Sequence, residues 1–307
     1  MMIRTVLGDI DPQELGPCHM HEHLLGRPPE PYASQDPDLI LDDVAAALVD
    51  LTHLAQAGGR ALVEMTPCDY GRDPAGLAHI SAASGIHIIA VTGYLKESFC
   101  GDLVAPMSDE QLVAGMIRDV HTGMNDTPYR AGVIKAGSSH GIITPTERRI
   151  FAAAAAAHRA TGALISTHTE AGTMGQEQVA LLVGAGVRPQ RILIGHCDRR
   201  LERDYHLRLL EHGVTIGFDQ IGKHKYGADT ERARLIAEYV ALGYGTQICI
   251  SCDIARRSNL RGYTPSAPGF AHLWGPFREL LQAAGVSPEA FQQLTVENPR
   301  RCLAFSV

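Results

Sequence analysis

The chain has 307 residues, 45% hydrophobic and 20% charged, with a formal net charge of −7. That length and composition suit one globular α/β barrel whose core is large enough to need no disulfide. There is no basic stripe for nucleic acid and no apolar run of membrane-spanning length, and of the seven cysteines only Cys249 and Cys252 have Cys-x-x-Cys spacing, inside an apolar strand-like run, so reduced, buried thiols in a soluble cytoplasmic protein are expected.

Eight short apolar runs predict strands, in order Cys18–Leu24, Ala61–Thr66, His87–Gly93, Ala131–Ala136, Ala163–Thr169, Arg191–His196, Val214–Asp219 and Gln247–Asp253. Each run is continuous rather than alternating, as in parallel strands buried on both faces. Between them helices are predicted over Leu41–Ala57, Asp109–Met116, Pro145–Thr161, Gln176–Ala185, Leu201–His212, Thr230–Leu242 and Phe277–Ala284, most ending near a glycine. The opening Met1-Met2-Ile3-Arg4-Thr5 has no charged-then-apolar leader pattern and reads as the start of a short N-terminal extension before the first strand. Strand–helix alternation of this kind predicts a (β/α)8 TIM barrel spanning residues 1–307 as a single domain. A doubly wound sheet is disfavoured because no Gly-x-Gly-x-x-Gly follows an early strand.

In such a barrel the reactive groups stand at the C-terminal ends of the strands. His21 and His23 share a face of the first strand, while Glu22 points the other way. The later strand ends supply Lys135, His168, His196 and Asp253. Six polar groups at one rim suit two divalent metal ions. His21, His23 and Asp253 meet across the barrel closure, and His168 and His196 lie on neighbouring strands. Lys135 lies between these sets. A neutral lysine amine captures carbon dioxide as a bidentate carbamate, and burial supplies the neutral amine; a lysine in a barrel strand also suits Schiff-base chemistry. Glu64 and Tyr94 are candidate supports near the rim, Glu64 to orient a metal ligand and Tyr94 to donate to a substrate carbonyl. His19, His140, His206, His224 and His272 read mostly as surface residues.

This set resembles the phosphotriesterase family of the amidohydrolase superfamily, over essentially the whole chain. The resemblance rests on Gly16 through Leu24, Val133-Ile134-Lys135, Thr167-His168-Thr169, Ile194-Gly195-His196, Ser251-Cys252-Asp253 and the closing Glu297-Asn298-Pro299-Arg300-Arg301. It implies two metal ions, zinc first, bridged by carboxylated Lys135 and hydroxide and held by His21, His23, Lys135, His168, His196 and Asp253, with Asp253 handling the proton. The stretches Gly217–Tyr226 and Cys252–Ser258 resemble the phosphotriesterase homology branch, some of whose members open phosphorylated sugar lactones. By that resemblance Lys223 and Arg256 would grip an anionic substrate, as two cations at adjacent strand ends would on physical grounds alone. Cys197-Asp198-Arg199-Arg200 after His196 departs from the Asp-Thr-Asp run of acyl-homoserine lactonases. The expected function is therefore a metal-dependent lactonase acting on a small, anionic sugar-type lactone, with no nucleic-acid or membrane partner and a homodimer as the assembly common among relatives. Phosphotriester or amide hydrolysis on the same centre is the alternative, and a non-catalytic binding protein a more distant one.

Overall fold

In a computed structural model, residues 1–306 are described. Eight parallel strands curve into a nearly closed barrel: β3 (Cys18–Glu22), β4 (Ala61–Glu64), β5 (His87–Gly93), β6 (Val133–Ser138), β7 (Leu164–Thr169), β8 (Ile192–Ile194), β9 (Thr215–Phe218) and β10 (Ile248–Ile250). They are preceded by a two-stranded antiparallel hairpin of β1 (Ile3–Thr5) and β2 (Gly8–Ile10), where the sequence had suggested only an extension. Every predicted strand has its counterpart, with ends shifted by a few residues. Strand residues alternate between two clusters. Val63, Ile89, Val91, Val133, Leu193 and Cys249 fill the barrel, whereas Leu62, Ile88, Ile134, Ile165, Ile194 and Ile216 pack outward against the helices. This alternation places Lys135 on the same face as Val133, pointing into the barrel.

The predicted helices are present with shifted ends, for example Val44–Ala57, capped by Asp43, and Pro145–Thr161, opened by a Thr144/Glu147 capping box. The helix predicted to stop at Met116 runs on to His121. Helices Pro74–Ser84 and Glu97–Val104 were not predicted, nor were the short ones at Tyr32–Gln35, Pro288–Gln292 and Asn298–Leu303. All seven cysteines are free, and all but Cys68 are buried. Among the described residues no helix is long and apolar enough to cross a membrane.

The seam between β3 and β10 has no regular main-chain ladder. The His21 amide donates to Ser251 Oγ at 2.9 Å, and the Asp253 amide donates to the His21 carbonyl at 3.0 Å. The carboxylate of Glu22, wholly buried, completes the closure. It accepts from the Cys252 amide (2.7 Å), the Ile254 amide (2.8 Å), Ser251 Oγ (2.8 Å) and His19 Nδ1 (2.6 Å). A register shift between His19 and Glu22 makes this possible. The bulge lets Met20 stay in the barrel core while Glu22 turns to the seam and His21 turns to the rim.

Candidate functional site

The rim residues converge as their strand positions require. His23 Nε2 lies 3.3 Å and His21 Nε2 3.6 Å from Asp253 Oδ1, so these three groups could hold one metal ion. Lys135 Nζ is 3.2 Å from His21 Nε2. The His21 and His196 rings have centroids 4.6 Å apart, and so do those of His168 and His196. The structure thus brings together all six residues read from the strand ends. His196 and Asp253 both carry left-handed backbone, with φ of 56° and 47°. Non-glycine residues adopt that conformation at a cost of about 1–3 kcal/mol, held by their surroundings.

The electrostatics favour lone-pair donors. Burial pushes the His21 imidazole well below its ordinary value and His168 down to about 3, so both rings are neutral at pH 7. Burial also lowers the Lys135 amine to about 8, with Asp253 and Asp219 opposing the shift. For Asp253 burial acts to raise the value, but the Lys223 ammonium and the imidazoles of His196, His23 and His21 outweigh it and hold the carboxyl ionised. Buried His21 Nδ1 has no hydrogen-bond partner. Neutral imidazoles, an ionised carboxylate and a depressed amine around one axis are a donor set that fits divalent cations.

Supporting residues fix three of the four rings. His23 Nδ1 meets Thr66 Oγ1 at 2.7 Å, and that hydroxyl donates to Glu64 Oε1 at 2.6 Å; Glu64 thus reaches His23 through Thr66. His196 Nδ1 lies 2.7 Å from Asp219 Oδ1, whose carboxylate also accepts the His196 amide. Gln220 Nε2 donates to Asp253 Oδ2 at 2.8 Å. His168 Nε2 faces Glu170 Oε2 at 3.1 Å, and Glu170 is paired with Lys96 and with Arg199 (3.1 Å). Asp219, Gln220, Glu170, Lys96 and Arg199 were not singled out from the sequence. Asp219 had the same signal as the others, a carboxylate closing a predicted strand.

The expected substrate-binding residues separate. Lys223 is at the site, with Nζ 2.6 Å from Asp253 Oδ2. Arg256 is tied to Asp36 (2.8 Å) and Asp38 (3.3 Å) at the mouth. Tyr94 corrects the expectation that it faces the substrate. Gly93 takes φ of 94°, and the chain there turns Tyr94 outward, its hydroxyl 3.6 Å from Met107 Sδ. It lines a cavity of about 780 Å³ with Arg72, Thr92 and Asp119, between β5 and the helix Asp109–His121. That cavity contains none of the rim histidines and is not the chemical site. His19 and His206 also depart from expectation, both being wholly buried. His19 packs at the seam, and His206 bridges Tyr239 Oη and the Cys197 carbonyl, at 2.9 Å each. His140 and His224 are exposed, as read.

A parallel barrel with its titratable side chains gathered at the carboxyl rim, over a packed interior, has its reactive groups where barrel enzymes carry them, and the relatives make it an enzyme of the hydrolase kind. The chain belongs to the phosphotriesterase family, whose model matches residues 1–303. It is 32% identical over 323 residues to a phospho-furanose lactonase of Mycoplasmopsis synoviae, covering 98% of this chain and 91% of the relative. The crystal structure of the lactonase Lmo2620 from Listeria monocytogenes superposes with a TM-score of 0.94 at 32% identity, covering 100% of both chains. The phosphotriesterase homology protein from Escherichia coli, solved with phosphate in its active site, gives a TM-score of 0.90 at 33% identity, covering 95% of this chain and 99% of that one.

Proposed function

We propose that this protein is a metal-dependent lactonase that opens an anionic, sugar-type lactone. The observation that carries the reading is the convergence of His21, His23 and Asp253 within reach of one ion, with the Lys135 amine 3.2 Å from His21. His21, His23, Lys135, His168, His196 and Asp253 would hold two divalent cations, zinc first. Lys135 would act as a carbamate formed from its neutral amine and carbon dioxide with release of one proton. Bound there, the cations would supply Lewis acidity toward the scissile carbonyl and lower the pKa of water from 15.7 to about 7.

The chain's own residues do the rest. Asp253, ionised and held at Oδ2 by Lys223 and Gln220, accepts the proton of the attacking water and returns it to the ring oxygen as the C–O bond breaks. Lys96 and Arg199 share the single carboxylate of Glu170, which leaves one surplus cation beside His168 for an anionic substrate, whereas Lys223 is matched by Asp253 and Arg256 by Asp36 and Asp38. The lactonase relatives and the phosphate bound by the Escherichia coli relative support the same class.

The test is elemental analysis of protein purified with zinc and bicarbonate, followed by a pH-indicator assay on γ-lactones with and without a terminal phosphate, a paraoxon-type triester and an N-acyl amino sulfonate. Two bound ions and fastest turnover of a phosphorylated lactone are expected. Protein that binds no metal, or that turns over the triester or amide fastest, would overturn the proposal.

A further inference from the structure

The loop that leaves β9 delivers three side chains to the site: Asp219 to His196, and Gln220 and Lys223 to Asp253. Strand pairing does not hold this loop, because the β9–β10 ladder ends at Phe218. Two buried carboxylates hold it instead. Asp198 accepts the amides of Asp219 (3.1 Å) and Gln220 (3.0 Å). Asp229 accepts the Gly222 amide (3.0 Å) and faces His272 Nε2 at 3.0 Å. Both carboxylates close on one guanidinium. Arg232 reaches Asp198 through Nε at 2.7 Å, and reaches Asp229 (3.1 Å) and the Gly227 carbonyl (2.6 Å) through Nη1.

Arg232 lies on the outer helix Asp229–Ala241, yet its side chain is 0% exposed and its Nη2 has no partner. A buried guanidinium with an unsatisfied nitrogen contributes poorly to stability, since apolar residues of the same size often do better. Its geometry serves orientation: one rigid fork sets two carboxylates, and they set three amides of the loop, those of Asp219, Gln220 and Gly222. We propose that Arg232 is a positioning residue for the reaction, which aligns His196 and Asp253 from the far side of the barrel wall without touching substrate or ion. The inference rests on the metal reading above for its catalytic consequence, but its structural effect is measurable without metal.

The experiment compares Arg232→Met and Arg232→Lys with Arg234→Met, a control on the exposed face of the same helix. In metal-free, nitrogen-15-histidine-labelled protein, a His196 Nδ1 proton bonded to Asp219 is expected to give a downfield resonance in the wild type. It is expected to be lost in Arg232→Met, partly restored in Arg232→Lys and unchanged in Arg234→Met. In zinc-loaded protein, Arg232→Met is expected to weaken one of the two ions about 10–100-fold and lower kcat by a similar factor, the usual effect of removing an outer support, with KM little changed. Should Arg232→Met fail to fold, Asp229→Asn, which keeps its shape and one acceptor oxygen, takes its place with the same signs and smaller size. A folded variant that keeps the resonance, both ion affinities and kcat would overturn the proposal. Wild-type protein that shows the resonance but binds no zinc would refute the metal reading and leave the positioning result standing.

Discussion

Removing the Glu22 carboxylate is expected to destabilise the barrel more than any change on the metal-facing side of the same strand. Glu22→Ala withdraws the acceptor from four donors: His19 Nδ1, Ser251 Oγ and the amides of Cys252 and Ile254. Ser251 can re-aim its proton, because the His21 carbonyl lies 2.8 Å away. His19 cannot. Trp274 Nε1 donates to its Nε2 at 2.9 Å, which places the ring proton on Nδ1, toward Glu22. The two amides are fixed by the backbone. Three donors are left buried and unpaired, at about 1–3 kcal/mol each, so a loss of at least about 3 kcal/mol is expected. That is a large share of a typical 5–15 kcal/mol, about what ordinary domains have in all. Glu22→Gln keeps one acceptor oxygen and should lose less. Urea unfolding of metal-free protein, followed by circular dichroism, reads the loss as a lower midpoint. A Glu22→Ala midpoint corresponding to less than about 1 kcal/mol would refute the reasoning.

Other perturbations act on the site. Lys135→Ala should lose bound metal and activity, and a short carboxylate such as propionate should restore part of both; full metal content and turnover in that variant would defeat the carbamate bridge. Asp253→Asn should retain most of the metal but lower kcat about 10²–10⁴-fold, the usual weight of acid–base catalysis, read by stopped-flow with a pH indicator. Burial lowers His206 from 6.5 to about 4. The unfolded chain therefore binds the extra proton first, so His206 weakens the fold as pH falls from about 6.5 toward 4 and has no such effect above that window. In metal-free protein His206→Phe should flatten that part of the stability–pH curve, and an unchanged slope would show that the ring is not held neutral. Gly93→Ala places a Cβ 2.0 Å from the Lys135 carbonyl, at a φ of 94°. It should push β5 off β6 and lower both the melting temperature and metal retention.

Much of this was legible in the chain because parallel strands buried on both faces leave continuous apolar runs, and a polar residue closing such a run stands out. His21, His168, His196 and Asp253 were visible for that reason. Asp219 was equally visible and went unread. The helix Pro74–Ser84 was obscured by Gly76, Ser81 and the lack of a strong apolar stripe, although Asp73, Pro74 and Gly85 mark its ends. The hairpin of β1 and β2 is too short to show a period. Tyr94 could not be placed, because which way the chain turns after β5 depends on the backbone at Gly93. The burial of His19 and His206 depends on partners distant in sequence, Trp274 and Tyr239. The convergence of Asp198 and Asp229 on Arg232 likewise joins segments that no local pattern connects.

The side-chain closure between the first and last barrel strands has a kinetic corollary. His21 and His23 stand on one edge of it and Asp253 on the other, so an ion gripped by all three would act as a staple across a join that has no regular main-chain ladder. Local opening there would expose the Cys252–Ile254 amides to exchange and pull the donors apart in one motion. Escape of that ion to a chelator and deuterium uptake along this edge should then share a single rate, and slowing either would slow the other.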